Sequence, residues 1–178
     1  MLPDAPFLRC HPKTKELFWT HECEVNPKTK WWQWVSFARD LTLHDYQRAL
    51  ASGVASSPEK ECYIRTRYWW VANGPVRHGK RNVSMPSDYR QNLTKLRSLL
   101  DVSVPDDRIM AAEIARELGN MDEASELLSA PLPPDYAKVV EQLRAWISAG
   151  DSQVRQLSEV RPPVIQIRRT EERDGRKE

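Results

Sequence analysis

The spacing of apolar positions changes character along the chain. Up to about residue 40 they come in short runs, Phe7-Leu8-Arg9-Cys10 and Leu17-Phe18-Trp19-Thr20-His21-Glu22. Between these runs stands His11-Pro12-Lys13-Thr14-Lys15-Glu16, which has the composition of a hairpin loop. The Pro-Lys-Thr-Lys sequence recurs at 27–30, just before Trp31-Trp32-Gln33-Trp34-Val35-Ser36-Phe37-Ala38. In a strand, Trp32, Trp34 and Ser36 face one way and Trp31, Val35 and Phe37 the other. The pattern predicts an antiparallel β-meander of about three strands.

From Thr42 onward the period is helical. Thr42 can cap a helix whose Leu43, Tyr46 and Leu50 share a face, with Gly53 as its stop. Ser57-Pro58-Glu59 starts a second helix, with proline in the first turn and acids near the positive end of the dipole. That helix is expected to run to about Ala72 and to end at Asn73-Gly74-Pro75, leaving a basic loop over 76–86. Next, Tyr89, Leu93, Leu96 and Leu100 form one stripe. Pro105 and two aspartates open a helix that groups Met110, Ile114 and Leu118 and stops at Gly119-Asn120. Shorter helices are expected over 121–129, over 136–149 (Tyr136, Val139, Leu143 and Ile147 at helical spacing) and over 151–159. The fold class is α+β, mostly α: a small N-terminal sheet followed by about seven helices. The chain divides into a β-rich segment 1–40, aromatic-rich helices 41–104, helical pairs 105–160, and a charged tail 161–178 whose composition predicts disorder.

Two resemblances follow from these residues. The run Leu118-Gly119-Asn120, Met121-Asp122-Glu123-Ala124, Leu127-Leu128 resembles a tetratricopeptide-like helical hairpin, in which Gly119 ends the first helix and small Ala124 admits close approach of the second. The pair at 135–149 and 151–158 has a similar order without the small residue. Two pairs fall short of the roughly three repeats that an isolated array needs, so they must stack on the preceding helices. Separately, Arg65-x-x-x-Trp69-Trp70-x-x-Asn73-x-x-x-Arg77, then Asn92-Leu93, then Arg108-x-Met110-x-x-Glu113-x-x-Arg116-Glu117-Leu118-Gly119 resembles an uncharacterised bacterial family. The resemblance spans about residues 8–158 and implies a zinc-ribbon-like segment before the helices. Here that segment departs from the pattern, because Cys10-His11-Pro12-Lys13 has no second cysteine. The family carries no activity to transfer.

The 178 residues suffice for one sizeable domain or two small ones. No apolar run reaches the roughly 18 residues that span a bilayer, and the N-terminus lacks the pattern of a secretory signal. An odd cysteine count suits a reducing compartment, which points to the cytoplasm. The net charge of +2 conceals two poles. Residues 1–100 carry 16 Lys and Arg against 9 Asp and Glu, whereas residues 101–160 carry 5 against 12. Such poles can steer a charged partner or attract each other within the chain.

Metal chemistry is considered at Cys10, His11, His21 and Cys23. His21 and Cys23 would share one strand face, whereas Cys10 and His11 point to opposite sides, so Cys10, His21 and Cys23 remain. Structural zinc wants four converging ligands, and the favoured reading is a sheet without metal, packed by tryptophans. A Cys10–Cys23 disulfide is the alternative under oxidising conditions. For catalysis there is no Gly-rich phosphate loop and no nucleophile or zinc-protease motif, so no catalytic residue and no cofactor is expected. Cys62 reads as an inert thiol.

Binding is left. Tyr68, Trp69 and Trp70 fan over roughly 200° of a helix, which suits a helix buried between layers better than a base-stacking platform. A sequence pI near 8.5 also falls short of a strongly basic nucleic-acid domain. The preferred expectation is therefore a non-enzymatic, adaptor-like or immunity-type protein. It would meet a basic protein partner through an acidic helical face comprising Glu113, Glu117, Asp122, Glu123 and Glu126. The alternative is RNA or DNA binding through Arg77, Lys80 and Arg81.

Overall fold

In the computed structural model, residues 8–11, 13–20, 22, 41–80 and 83–157 are described. Strands β1 (Leu8–Cys10) and β2 (Leu17–Trp19) pair antiparallel, with Leu8 opposite Trp19 and Cys10 opposite Leu17. The hairpin closes where predicted. His11 N–H donates to Glu16 O at 2.8 Å, and Lys15 takes the left-handed conformation, φ 62°. The expected third strand lies outside the described residues, as do the tail from 158 onward and residues 21 and 23.

Among the described residues six α-helices follow: α1 (Leu43–Ala51), α2 (Pro58–Arg77), α3 (Tyr89–Leu99), α4 (Pro105–Leu118), α5 (Met121–Leu127) and α6 (Ala137–Ser148), the last preceded by a 3₁₀ turn at Pro134–Tyr136. The molecule is thus mostly helical with a small antiparallel sheet, as the periodicity indicates. Among the described residues no helix is long and apolar enough to cross a membrane.

Local chemistry accounts for the starts and stops. At α1, Thr42 and Asp45 form a reciprocal capping box, and buried Asp45 accepts from both the amide and the hydroxyl of Thr42. Ser57 caps α2 by accepting from Lys60 N–H, and Pro58 and Pro105 occupy the first turns of α2 and α4, where a missing N–H costs nothing. Gly119, at φ 86°, closes α4 in the left-handed region.

Two expectations about helix ends need correction. First, α2 does not end at Asn73-Gly74-Pro75. It continues through them to Arg77, with His78 N–H donating to Gly74 O at 3.0 Å. The contacts that accompany this are tertiary: buried Asn73 is held by side chains of α3 and α4. Arg77 therefore sits on the last turn of a helix, not in a loop. Second, residues 151–157 are irregular, so the fourth helix of the expected pairs is absent there. The carbonyls of Asp151 and Gln153 are turned toward the guanidinium of Arg116 (2.5 and 2.8 Å), and Asp151 Oδ1 accepts from Gln153 N–H. These bonds offer the backbone an alternative to the helical ladder.

Each helix packs on its neighbour in sequence, and α4 also meets α6. The main core joins the hairpin (Leu8, Cys10, Trp19) to α1–α4 through Tyr46, Ile64, Tyr68, Trp69, Leu93, Leu96 and Ile114, so it runs across the segment boundaries at 40 and 104. A smaller core of Ala112, Leu128, Val139, Val140 and Leu143 lies among α4, α5 and α6. As expected, α2 is buried on two sides: Tyr63, Ile64, Thr66, Tyr68, Trp69, Ala72 and Asn73 are all buried. The two charge poles touch in the folded chain, where Arg97 Nε donates to Glu123 Oε1 at 2.9 Å.

Candidate functional site

A polar cluster lies inside the helical body, built mainly from two acids and one base of α4. Met110 through Glu117 are buried without interruption. Small Ala111, Ala112 and Ala115 sit among the neighbouring helices, and Glu113, Arg116 and Glu117 are buried with them. Buried charge of this kind is tolerated only when it is paired and hydrogen-bonded.

Arg116 is fully buried. Its Nε and Nη2 donate to the two oxygens of Glu113 at 2.8 and 2.7 Å, a bidentate fork. Nη1 donates to the Asp151 and Gln153 carbonyls, and the guanidinium carbon lies 5.2 Å from the centroid of the Trp146 ring. Burial acts to lower the Arg116 pKa, but the hydrogen bonds and charge of Glu113 outweigh it, and the net direction is upward.

Glu117 occupies a separate cradle. Oε2 receives Trp69 Nε1–H at 2.9 Å and lies 2.6 Å from the Tyr89 hydroxyl, while Oε1 lies 3.5 Å from Asn73 Nδ2. The Tyr89 hydroxyl is also 2.7 Å from Asn73 Oδ1. Burial first, and the neighbouring charge of Glu113 second, push the Glu117 carboxyl up to about 7, against the opposing effect of its hydrogen-bond donors. Burial and the Glu117 charge likewise push the Tyr89 phenol up. Arg77, on the exposed last turn of α2, senses the charges of Glu117 and Glu113 yet makes no ion pair among the described residues; packing around the stem of its side chain lowers its pKa.

The residues of the sequence-predicted sites fall in different places. Glu113 and Glu117 do not belong to an exposed acidic face, because the packing of α4 between its neighbours buries both. Glu123 is half-buried and engaged by Arg97 and Asn120. Asp122 and Glu126 are exposed, one turn apart on α5, with no ion pair among the described residues. A groove of about 210 Å³ lies between the end of α5 and α6, lined among others by Leu128, Ser129, Leu132, Pro133, Val140 and Arg144. Ser129, on its rim, donates through both N–H and Oγ to Glu126 O.

On the basic side, Arg77 and Lys80 are exposed and Arg81 lies outside the described residues. Of the three proposed metal ligands, Cys10 is fully buried in the main core, and His21 and Cys23 lie outside the described residues. Among the described residues no group of three or more His, Cys, Asp or Glu converges. Burial first and Asp107 second push the Cys62 thiol up to about 11, which keeps it protonated at neutral pH.

Sequence reasoning missed the cluster, although its members had already been noticed for another reason. Trp69, Asn73, Arg77, Glu113, Arg116 and Glu117 all belong to the spaced pattern that carries the bacterial resemblance. Arg65 and Asn92, from the same pattern, bond to each other twice across α2 and α3. The available signal was the identity of these polar residues at helical spacing, which converge on a single layer. Comparison of the chain with family models, curated proteins and solved structures gives no match.

Proposed function

We propose that the protein is a non-enzymatic protein-binding module that meets a basic partner through the outer side of α5 and α6. The observation that carries this reading is how the acids of the C-terminal half are used. Glu113, Glu117 and Glu123 are engaged by neighbouring side chains, whereas Asp122 and Glu126 stand exposed one turn apart on α5, whose end borders a groove of mixed polar and apolar lining. An exposed carboxylate pair supplies steering toward a basic partner, and the groove at the end of the same helix supplies a concave contact. An immunity-type inhibitor covering a basic toxin or nuclease, or an adaptor, would use such a face. The nucleic-acid alternative keeps two exposed cations, Arg77 and Lys80, and is separated from this reading by experiment.

The test is an affinity capture with wild type and two charge-reversed variants. Asp122→Lys with Glu126→Lys is expected to weaken partner capture by at least about tenfold, the effect of losing roughly 1.4 kcal/mol. Arg77→Glu with Lys80→Glu is expected to leave capture unchanged. Loss of activity only in the second variant, with RNA or DNA as the bound species, overturns the reading in favour of nucleic acid.

A further inference from the structure

The hydroxyl of Tyr89 poses a problem in counting protons. It lies 2.7 Å from Asn73 Oδ1 and 2.6 Å from Glu117 Oε2, and both contacts are hydrogen bonds. A tyrosine hydroxyl has one proton, and a carboxylate and an amide oxygen are both acceptors. With Glu117 ionised, one of the two short contacts has no proton. With Glu117 protonated on Oε2, every contact has one. Glu117 O–H donates to the Tyr89 oxygen, Tyr89 O–H donates to Asn73 Oδ1, and Asn73 Nδ2–H completes the ring at Glu117 Oε1 (3.5 Å). Trp69 Nε1–H still finds a lone pair on Oε2.

We propose that Glu117 is a proton-operated latch between α2, α3 and α4: the acid form closes the Glu117–Tyr89–Asn73 ring, and loss of its proton opens the ring and draws Arg77 inward.

The charged and titratable groups around it support two discrete arrangements. On α4, the Arg116 charge favours the Glu117 carboxylate from a distance, but its donors are committed to Glu113 and two backbone carbonyls, so it makes no hydrogen bond to Glu117. Glu113 itself opposes ionisation of Glu117. On α3, Tyr89 is the ring member, and Arg90 is occupied with Leu118 O at 2.9 Å. On α2, Trp69 and Asn73 donate, and Arg77 is the cation that interacts with Glu117 without pairing with it. Ionisation therefore leaves two responses. The Asn73 amide turns over to donate to Tyr89, setting its oxygen against Oε1, and the last turn of α2 moves so that Arg77 pairs with the carboxylate. The upward displacement of the Glu117 carboxyl to about 7 places this exchange near neutral pH.

The latch predicts a defined sign for stability. The folded pKa stands above the ordinary carboxylate value of 4.5. The favourable contribution is therefore complete below that value, declines as pH rises toward 7, and is spent above it. A displacement of this size amounts to a change on the order of 10²-fold in the folding equilibrium.

The experiment is a carbon-13 carboxyl titration of the full-length chain by NMR, with thermal unfolding followed from pH 4 to 9. Glu117 is expected to titrate near 7, with the Arg77 Nε–H signal shifting at the same midpoint. Glu117→Gln, whose amide can donate to Tyr89 as the acid does, should abolish that part of the pH dependence. Arg77→Gln should raise the Glu117 midpoint by removing the cation that favours the carboxylate. If Glu117→Gln does not fold, the wild-type titration and Arg77→Gln still decide the matter. A Glu117 midpoint at the ordinary carboxylate value overturns the proposal. So does a midpoint near 7 that leaves Arg77 unmoved in wild type and is indifferent to Arg77→Gln.

Discussion

Arg116 shows how one side chain can be needed without contributing much net stability. Its fork to Glu113 is buried with its partner, and the energy gained is offset by desolvation of both charges. Removing only one partner is another matter. Arg116→Met leaves Glu113 buried and unpaired and is expected to cost about 3–5 kcal/mol in urea unfolding. The double variant Arg116→Met with Glu113→Leu should recover most of that loss, and the double-mutant cycle isolates the pair. The same cycle tests whether release of the Asp151 and Gln153 carbonyls, which Arg116 also holds, adds a separate cost.

Among the elements, the junction of α4 and α5 depends on Gly119, whose φ of 86° is unfavourable for any residue with a Cβ. Open space surrounds the position, so a substitution acts through backbone conformation and not through a clash. Gly119→Ala is expected to destabilise the fold by about 1–2 kcal/mol, measured by chemical denaturation, without altering the body of either helix. Gly119 was legible in the sequence because a glycine followed by asparagine at the end of an apolar stripe has one common use. Thr42, Ser57 and Pro105 were legible for the same kind of reason: capping is local chemistry. The end of α2 was not. Gly74-Pro75 is a local signal to stop, and it is overridden by Asn73, whose partners Tyr89 and Glu117 lie 16 and 44 residues further on. Nor was the burial of Glu113 and Glu117. Charged residues at helical spacing look like a solvated face, and only the packing of α4 between α3, α5 and α6 reverses that. The candidate partner face was therefore half legible. Asp122 and Glu126 remain on it, whereas the other three acids are engaged with neighbouring side chains.

For the molecule as a whole, two cores meet at α4, which gives Met110, Ala111 and Ile114 to one and Ala112 to the other. The larger joins the hairpin and four helices, whereas the smaller rests on few side chains. Leu143→Ala, which cuts the smaller core at its fully buried centre, is expected to cost about 2–5 kcal/mol. In hydrogen exchange it should release the amides of α5 and α6 before those of α2 and α3. Uniform loss of protection across all helices would instead mean that the two cores open as one. The Arg116 clamp also gives the fold a direction in time. Synthesis proceeds from the N-terminus, so Glu113 and Arg116 are made well before the two carbonyls, 35 and 37 residues after Arg116, that complete the guanidinium's shell. A nascent chain that has reached α6 but not residue 153 therefore holds a buried cation with donors unfilled. Residues 151–153 act as the closing stitch, and the Arg116 shell is complete only once they emerge.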